Sequence, residues 1–325
     1  MDHKTCWTMT TGEAGMNSQV LGLAEAVGIA HVHKTARPRP PWSWLPGHMC
    51  PGALISPDSN SDPLVPPWPA LLITCGRRSV CLSIAIRKAS RGRTFTVHVQ
   101  DPHVPPSYFD MVAPPRHDRL KGANVFPTRG ALHRVTPEIL AANKERFGPG
   151  FAGLPRPLVA VLIGGDNKCY HLTPGKTAAI AARLAEMAKN TGAGLAITPS
   201  RRTGDANLAI LREKLEGTGA YIWDGTGANP YFGMLGLADH IVVTCDSVSM
   251  VSEAAATGKP VYVIELDGGN RRFNSFHEGL RSEGVTRPFT GVLDQWTYKP
   301  VNDTTEIAGE VQRRLGERVT DKQEQ

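Results

Sequence analysis

Residues Ile241–Glu265 read IVVTCDSVSMVSEAAATGKPVYVIE, and this stretch decides the fold. It opens on an apolar, β-prone run, Ile241-Val242-Val243, and passes through the polar Thr244-Cys245-Asp246-Ser247. Small residues from Val248 to Thr257 then suit a helix, Gly258 ends it, and Lys259-Pro260 turns the chain into a second apolar run at Val261. The spacing predicts a β–α–β unit with Asp246 or Ser247 capping the helix. A helix start leaves free N–H groups and partial positive charge, which suits a phosphate placed near Ser247 and Ser249. Glu253, about two turns in, is placed to reach an adjoining ribose hydroxyl. The competing reading is a capped surface helix with a solvated glutamate.

The chain's 325 residues suit two domains, each with its own core. Aromatic content is only 6%, so those cores should be aliphatic. A net charge of +6 without a long basic run favours a small anionic partner or an acidic membrane face and argues only weakly for nucleic acid, so no nucleic-acid partner is expected. The six cysteines are scattered with no CxxC, as expected of reduced thiols in a cytosol. No apolar run reaches a membrane span, and the first residues read as neither a signal peptide nor a mitochondrial presequence. The expectation is a cytoplasmic protein, peripheral at a membrane face at most.

In the first half, Cys6–Thr10 predicts a strand, 11–15 a glycine loop, and the following residues a helix with Val20, Leu23, Ala24 and Val27 on one face, capped by Asn17 or Ser18 and closed by Gly28. Strand, glycine loop and helix open a Rossmann-like unit, but GxGxxG is absent, so no NAD site is expected. Residues 37–69 are rich in Pro and carry Trp42, Trp44 and Trp68, which rules out a long helix. Trp42, Trp44 and Leu45 are expected to pack on the domain, with a membrane-facing patch as the alternative. Ala70–Cys75 predicts a buried strand ending in Gly76-Arg77-Arg78-Ser79, and Thr94–Gln100 another, ending in Asp101-Pro102-His103. Asp101 at a strand's carboxyl end lies where open α/β sheets place chemistry, and is the first candidate general base. The rival reading is an Asp fixing an X-Pro turn.

The Pro/Gly-rich residues 147–157 read as a linker. Beyond it come an apolar strand, Leu158–Ile163, the glycine loop Gly164-Gly165, and a helix from Thr173-Pro174. The two glycines would let backbone approach a diphosphate. A strand at Gly194–Thr198 leads into Ser200-Arg201-Arg202, whose arginines suit phosphate. Ile222 and Trp223 are placed to bound a base. Residues 266–272 form a polar loop that could meet a sugar or acceptor. No metal-ligand spacing, P-loop or Ser-His-Asp arrangement is present, so no bound metal is expected.

Two resemblances sharpen this. Val251–Pro260 resembles the donor-site helix of GT-B glycosyltransferases, where a Ser-Glu pair opens a small-residue helix and the Glu holds the nucleotide ribose. Over a wider span the chain resembles the mitochondrial fission Elm family and its bacterial relatives, which are grouped with glycosyltransferases. The carriers are Gly15, Gln19 and Gly22–Ala26, Cys75-Gly76-Arg77-Arg78, Asp101-Pro102-His103, Arg129–Arg134 and Ser200-Arg201-Arg202. Met16 stands where that family usually has His, and Glu13 where it often has Lys.

The resemblance implies an α/β, GT-B-like chain of two Rossmann-like domains facing a cleft: residues 1–150 on the acceptor side, 157–303 on the donor side, with helix 304–319 packing back on the first domain. It implies a glycosyltransferase using a nucleoside-diphosphate sugar as donor substrate and an unknown, potentially membrane-associated acceptor. Donor-side candidates are Gly164, Gly165, Ser200, Arg201, Arg202, Trp223, Ser247, Ser249 and Glu253. Catalytic candidates are Asp101 and Glu13. The alternative it implies is a non-catalytic adaptor on the same fold, as in plant relatives that recruit a dynamin-like GTPase to mitochondria.

Overall fold

Strands that are apolar on both faces are stable only under helices on both sides, and the chain builds two such sheets. The computed structural model describes residues 5–323, with side chains to residue 318. It divides into two compact units, one running to Arg134 and resuming at Asn302, the other Val135–Val301.

The first unit contains β1 (Cys6–Thr10), α1 (Ala14–Val27), β2 (His31–Thr35), β3 (Leu71–Cys75), α2 (Val80–Ala89), β4 (Phe95–Val99) and β5 (Met111–Ala113). Its five strands are all parallel, in the order β2-β1-β3-β4-β5. The chain steps from β1 outward to β2 and then returns to the other side of β1, so strand order reverses between β1 and β3. β1, β3 and β4 are buried throughout. Helix α1 starts earlier than its sequence suggests, with Glu13 at the cap position. Asn17 is not available as a cap because Thr10 Oγ1 donates to its Oδ1 at 2.5 Å. Gly28, at φ 77°, closes α1 by donating to the carbonyls of Ala24 and Glu25.

The second unit contains α3 (Pro137–Phe151), β6 (Leu158–Ile163), β7 (Tyr170–His171), α4 (Pro174–Thr191), β8 (Gly194–Pro199), α5 (Asp205–Lys214), β9 (Tyr221–Ile222), α6 (Tyr231–Leu237), β10 (His240–Thr244), α7 (Val248–Ala255), β11 (Val261–Ile264), β12 (Asp267–Gly268), α8 (Arg271–Ser282) and β13 (Thr286–Pro288). Six parallel strands run β13-β11-β10-β6-β8-β9, and β12 pairs separately with β7. Here the reversal falls between β6 and β10. The register sets Ile163 opposite Pro199 and Leu162 opposite Val243, so β8, β6 and β10 end level with one another.

The boundary differs from the expected linker at 147–157. Phe147-Gly148-Pro149-Gly150 lie inside α3, which Thr136 caps by accepting from Ile139 N. Packing overrides the Pro/Gly composition. α3 lies against α6 so closely that a Cβ on Gly233 would stand 2.8 Å from the Phe147 side chain, and one on Gly236 2.8 Å from the Leu140 carbonyl. The units therefore part at residues 134/135 instead of 150.

The last helix, α9 (Asp303–Gln323), belongs to the first unit. Ile307, Ala308 and Val311 join the cluster of Leu23, Ala24 and Val27 from α1. Asp303, 5% exposed, accepts from Arg129 N at 2.6 Å, Arg129 Nε at 2.9 Å and Gly130 N at 3.0 Å. Thr304 Oγ1 accepts from His133 N at 3.0 Å. The Arg129–Arg134 run thus receives the helix that closes the unit, and Asp303 sits at a helix start where its charge is favoured. Replacing Asp303 with Ala strands two buried N–H donors and a guanidinium. The expected loss is about 2–4 kcal/mol in urea unfolding of the first unit. A loss below about 0.5 kcal/mol would show that apolar packing alone docks α9.

Candidate functional site

In open α/β sheets ligands sit beyond the carboxyl ends of the strands, where strand order reverses. In the second unit that point is the β6/β10 junction. Gly164-Gly165 follow β6, Ser200-Arg201-Arg202 follow β8, and Asp246-Ser247 follow β10. Three adjacent strands therefore deliver most of the residues named on the donor side.

A single carboxylate ties the three loops together. The Asp246 side chain is fully buried and ion-paired with the Arg202 guanidinium. Its Oδ1 accepts from Thr244 Oγ1 at 2.6 Å, and its Oδ2 accepts from Gly165 N at 3.1 Å and from Arg202. Thr244 Oγ1 in turn accepts from Gly164 N at 2.7 Å, and the Asp246 carbonyl accepts from Asn167 Nδ2 at 3.0 Å. The β8 turn closes on itself and on β6. Ser200 N donates to the Ile163 carbonyl at 2.8 Å, Arg202 N donates to Ser200 Oγ at 3.2 Å, and Thr203 Oγ1 donates to the Gly164 carbonyl at 2.6 Å.

This geometry revises the local roles expected of the glycine pair, of Arg202, of Ser200 and of Asp246. A Cβ on Gly164 would lie 2.1 Å from Asp246 Oδ1, and one on Gly165 2.0 Å from the Arg202 carbonyl. The glycines admit the chain's own Asp246 and Arg202, and their N–H groups donate to Thr244 Oγ1 and Asp246 Oδ2. Arg202 spends its charge on Asp246. Ser200 organises the turn that carries Arg202. Asp246 itself does not cap α7.

The cap of α7 is Ser247, whose side chain accepts from Met250 N at 3.3 Å. Ser247 and Ser249 are half-buried, and Arg201 is exposed. The N–H groups of Val248 and Ser249, in the first turn, have no intrahelical acceptor. Glu253 is 6% exposed, and its Oε2 accepts from the Tyr231 hydroxyl at 2.6 Å. It is neither solvated nor pointed at bulk water. Burial, reinforced by Glu253, holds the Tyr231 phenol well above its ordinary pKa, so Tyr231 stays a proton donor to the carboxylate. Sequence reading missed Tyr231, since nothing local links α6 to a residue 22 positions on. Trp223 follows β9. Its backbone N donates to Ile197 O at 2.9 Å and its indole N–H to Thr226 O at 3.0 Å, which holds the ring half-buried at the edge of the sheet.

Beside this site a cavity of about 430 Å³ opens at the ends of β10 and β11, lined by Cys245, Tyr170, Glu265, Asn274, His277 and Arg281. Burial lowers the His277 pKa below the usual histidine range. The ring is then neutral, with Nε2–H donating to the Cys245 carbonyl at 2.8 Å. The polar loop after Glu265 is more ordered than expected. Asp267–Gly268 pair with β7, and Asn270 caps α8 by accepting from Arg272 and Phe273.

In the first unit, the loops after β1 and β3 meet at that sheet's own reversal point. Met16 packs there, its sulfur 2.6 Å from where a Gly76 Cβ would stand. Glu13 is exposed and accepts from Thr11 Oγ1 at 2.5 Å. Asp101, one strand further along, accepts from His103 N at 2.8 Å and pairs with His103 Nδ1 at 3.4 Å. His103 adopts φ 54°, so this Asp does organise a turn, alongside whatever else it does. Among the described residues no group of three or more His, Cys, Asp or Glu side chains could hold a metal.

Two all-parallel sheets with helices on both faces, joined in one chain, define the GT-B-like class, a glycosyltransferase-like fold of two Rossmann-like domains. The crystal structure of a Methanocaldococcus jannaschii UDP-GlcNAc 2-epimerase matches it with a TM-score of 0.53 at 10% identity, over 94% of this chain and 99% of that one. The chain belongs to the family described as Mitochondrial fission ELM1, whose model matches residues 14–315. It is 35% identical over 281 residues to the Mitochondrial fission protein ELM1 of Arabidopsis thaliana, an alignment covering 77% of this chain and 65% of that protein. It is 27% identical over 280 residues to the uncharacterized protein RP120 of Rickettsia prowazekii (strain Madrid E), covering 74% and 78% respectively. The chain therefore spans just under two thirds of the plant relative's length. No helix among the described residues is long and apolar enough to cross a membrane.

The Asp246 knot sets an expected outcome. Asp246→Ala leaves buried donors on Gly165 and Thr244 and frees Arg202, and should destabilise the second unit by about 3–5 kcal/mol. Gly164→Ala should cost about as much through overpacking against the carboxylate. Differential scanning calorimetry reads both. Wild-type melting of Gly164→Ala would mean the carboxylate is not held where it stands.

Proposed function

We propose that the chain binds a nucleoside-diphosphate sugar at the carboxyl edge of the second sheet and transfers the sugar to an acceptor. The observation that carries this is the placement of three polar strand-end loops at the β6/β10 reversal, with a capped helix start among them. Because Asp246 claims Arg202, the diphosphate falls to Arg201, to the first-turn N–H groups of α7 and to the Ser247 and Ser249 hydroxyls. Trp223 bounds the base. Glu253, oriented by Tyr231, takes the ribose. Gly164, Gly165 and Ser200 serve this reading by holding the platform in shape. Asp101 is the candidate general base of the first unit, with Glu13 as the second acid–base candidate. Positive groups at the diphosphate stabilise it as it departs, so no bound metal is called for.

The M. jannaschii epimerase was solved with UDP-GlcNAc and UDP, which makes uridine diphosphate the first ligand to try. An adaptor role without catalysis is the second reading. The 35% identity to a mitochondrial fission protein favours it, as does Met16, which packs against Gly76 where the family usually has His.

Calorimetric titration and thermal shift with uridine diphosphate separate the two. On the enzyme reading the nucleotide stabilises the protein by about 2–3 kcal/mol at a hundred times its dissociation constant. Arg201→Ala should weaken uridine diphosphate by about tenfold while leaving uridine unaffected. Glu253→Ala should weaken both. If no nucleoside diphosphate shifts the melting temperature, the donor site is refuted and the adaptor reading stands.

A further inference from the structure

The Pro- and Trp-rich connection between β2 and β3 does not bury all its aromatic and aliphatic side chains, as its composition suggested it would. Trp68 packs edge-on against Trp7 at 6.0 Å, and the half-buried Trp42 donates its indole N–H to the Pro51 carbonyl at 2.7 Å. Trp44, however, is 73% exposed, Leu45 37%, Met49 59% and Ile55 69%. These are four of the seven exposed large hydrophobic residues among the described residues, and they fall within twelve positions. Scattered exposed apolar residues are ordinary, but a contiguous set marks an interaction surface.

The segment is a built structure, not a loose loop. Short 3₁₀ turns at Gly47–Met49 and Ala53–Ile55 lie along α2. Gly47 comes so near that a Cβ there would stand 2.3 Å from a Val80 methyl. Between these turns and α2 runs a groove of about 860 Å³, floored by Ala53, Ile84 and Ala85 and edged by Met49, Ile55 and Lys88.

Charge singles out the occupant. Residues 31–55 and 76–93 hold nine Lys or Arg and no Asp or Glu, against 27 basic and 30 acidic side chains in the rest of the chain. The positive balance of the whole protein thus comes from the two segments that build this surface. Some of these cations are engaged elsewhere, since Arg87 pairs with Asp110 and Lys34 lies over Trp7. Arg77, Arg78 and Lys88 are exposed. The acids of the same connection are engaged within it: the half-buried Asp58 accepts from Ser61 Oγ, and the exposed Asp62 accepts from Thr35 N.

We propose that this face of the first unit is a docking surface for an anionic phospholipid bilayer. Trp44, Leu45, Met49 and Ile55 enter the headgroup–acyl boundary, and Arg78 and Lys88 meet lipid phosphates. Exposed aromatic and aliphatic side chains on segments with an excess of basic residues match the chemistry of an interfacial anchor, whereas a protein groove would call for no such excess of one charge. The surface lies wholly on the first unit and stands independently of the nucleotide reading.

The test is sedimentation of the full chain with vesicles of phosphatidylcholine alone and of phosphatidylcholine mixed with phosphatidylglycerol. Wild-type protein should bind the mixed vesicles at least about tenfold more tightly than the neutral ones and release as salt is raised. A Trp44→Ser/Met49→Ser/Ile55→Ser variant should lose at least about tenfold in binding while keeping the wild-type melting temperature, since all three side chains are exposed. Arg78→Glu/Lys88→Glu should abolish the preference for anionic lipid. Failure of wild-type protein to bind either vesicle, equal binding to both, or triple-variant binding like wild type would overturn the proposal. So would self-association that the triple variant abolishes in the absence of vesicle binding, which would assign the surface to a second copy of the chain.

Discussion

A buried carboxylate needs charge and hydrogen-bond donors around it, and Asp246 draws them from three separate loops. Thr244 comes from its own strand, Gly165 from the end of β6, and Arg202 from the end of β8. Each strand end is held in place by donating to, or closing on, the same group. The glycine pair after β6 follows as a necessity, since any side chain there would occupy the carboxylate or the Arg202 backbone. On the function proposed above, the ligand falls to what the knot does not consume: the start of α7, Arg201, Trp223 and the Glu253–Tyr231 pair.

The first unit solves a related problem with Asp303. There the buried acid fastens a helix to a loop more than 170 positions away in sequence. Apolar contacts from Ile307, Ala308 and Val311 supply the area, while Asp303 fixes the angle and register of α9 by satisfying two backbone donors and the Arg129 guanidinium. Both units thus use one acid to join elements distant along the chain. The Arg129–Arg134 run meets α9 in this closure through Arg129, Gly130 and His133.

Much of the candidate site is legible in local sequence, because strand ends and helix starts carry their own punctuation. The apolar run Leu158–Ile163 ahead of Gly164-Gly165 and the run Ile241–Val243 ahead of Asp246-Ser247 mark the ends of two strands that lie side by side where strand order reverses. What each residue does there was harder to read. A glycine that admits a ligand and a glycine that admits an aspartate 81 residues away look alike in one dimension. Arg201 and Arg202 are adjacent, chemically identical and both exposed, yet Arg202 is the one ion-paired with Asp246. Glu253 looks like a surface helix residue until α6 brings Tyr231 against it.

Short-range physics was sufficient for the strands and most of the helix limits: doubly apolar runs, glycine stops and Thr-Pro starts commit the chain to parallel α/β units whatever their neighbours do. Tertiary packing decided the rest. It carried α3 through Phe147-Gly148-Pro149-Gly150, because contact with α6 outweighs weak helix propensity. It moved the domain boundary to residues 134/135, returned α9 to the first unit, and left Trp44 in the open while burying Glu253. Those outcomes depend on which surfaces meet across long sequence separations, and composition and periodicity carry no record of that.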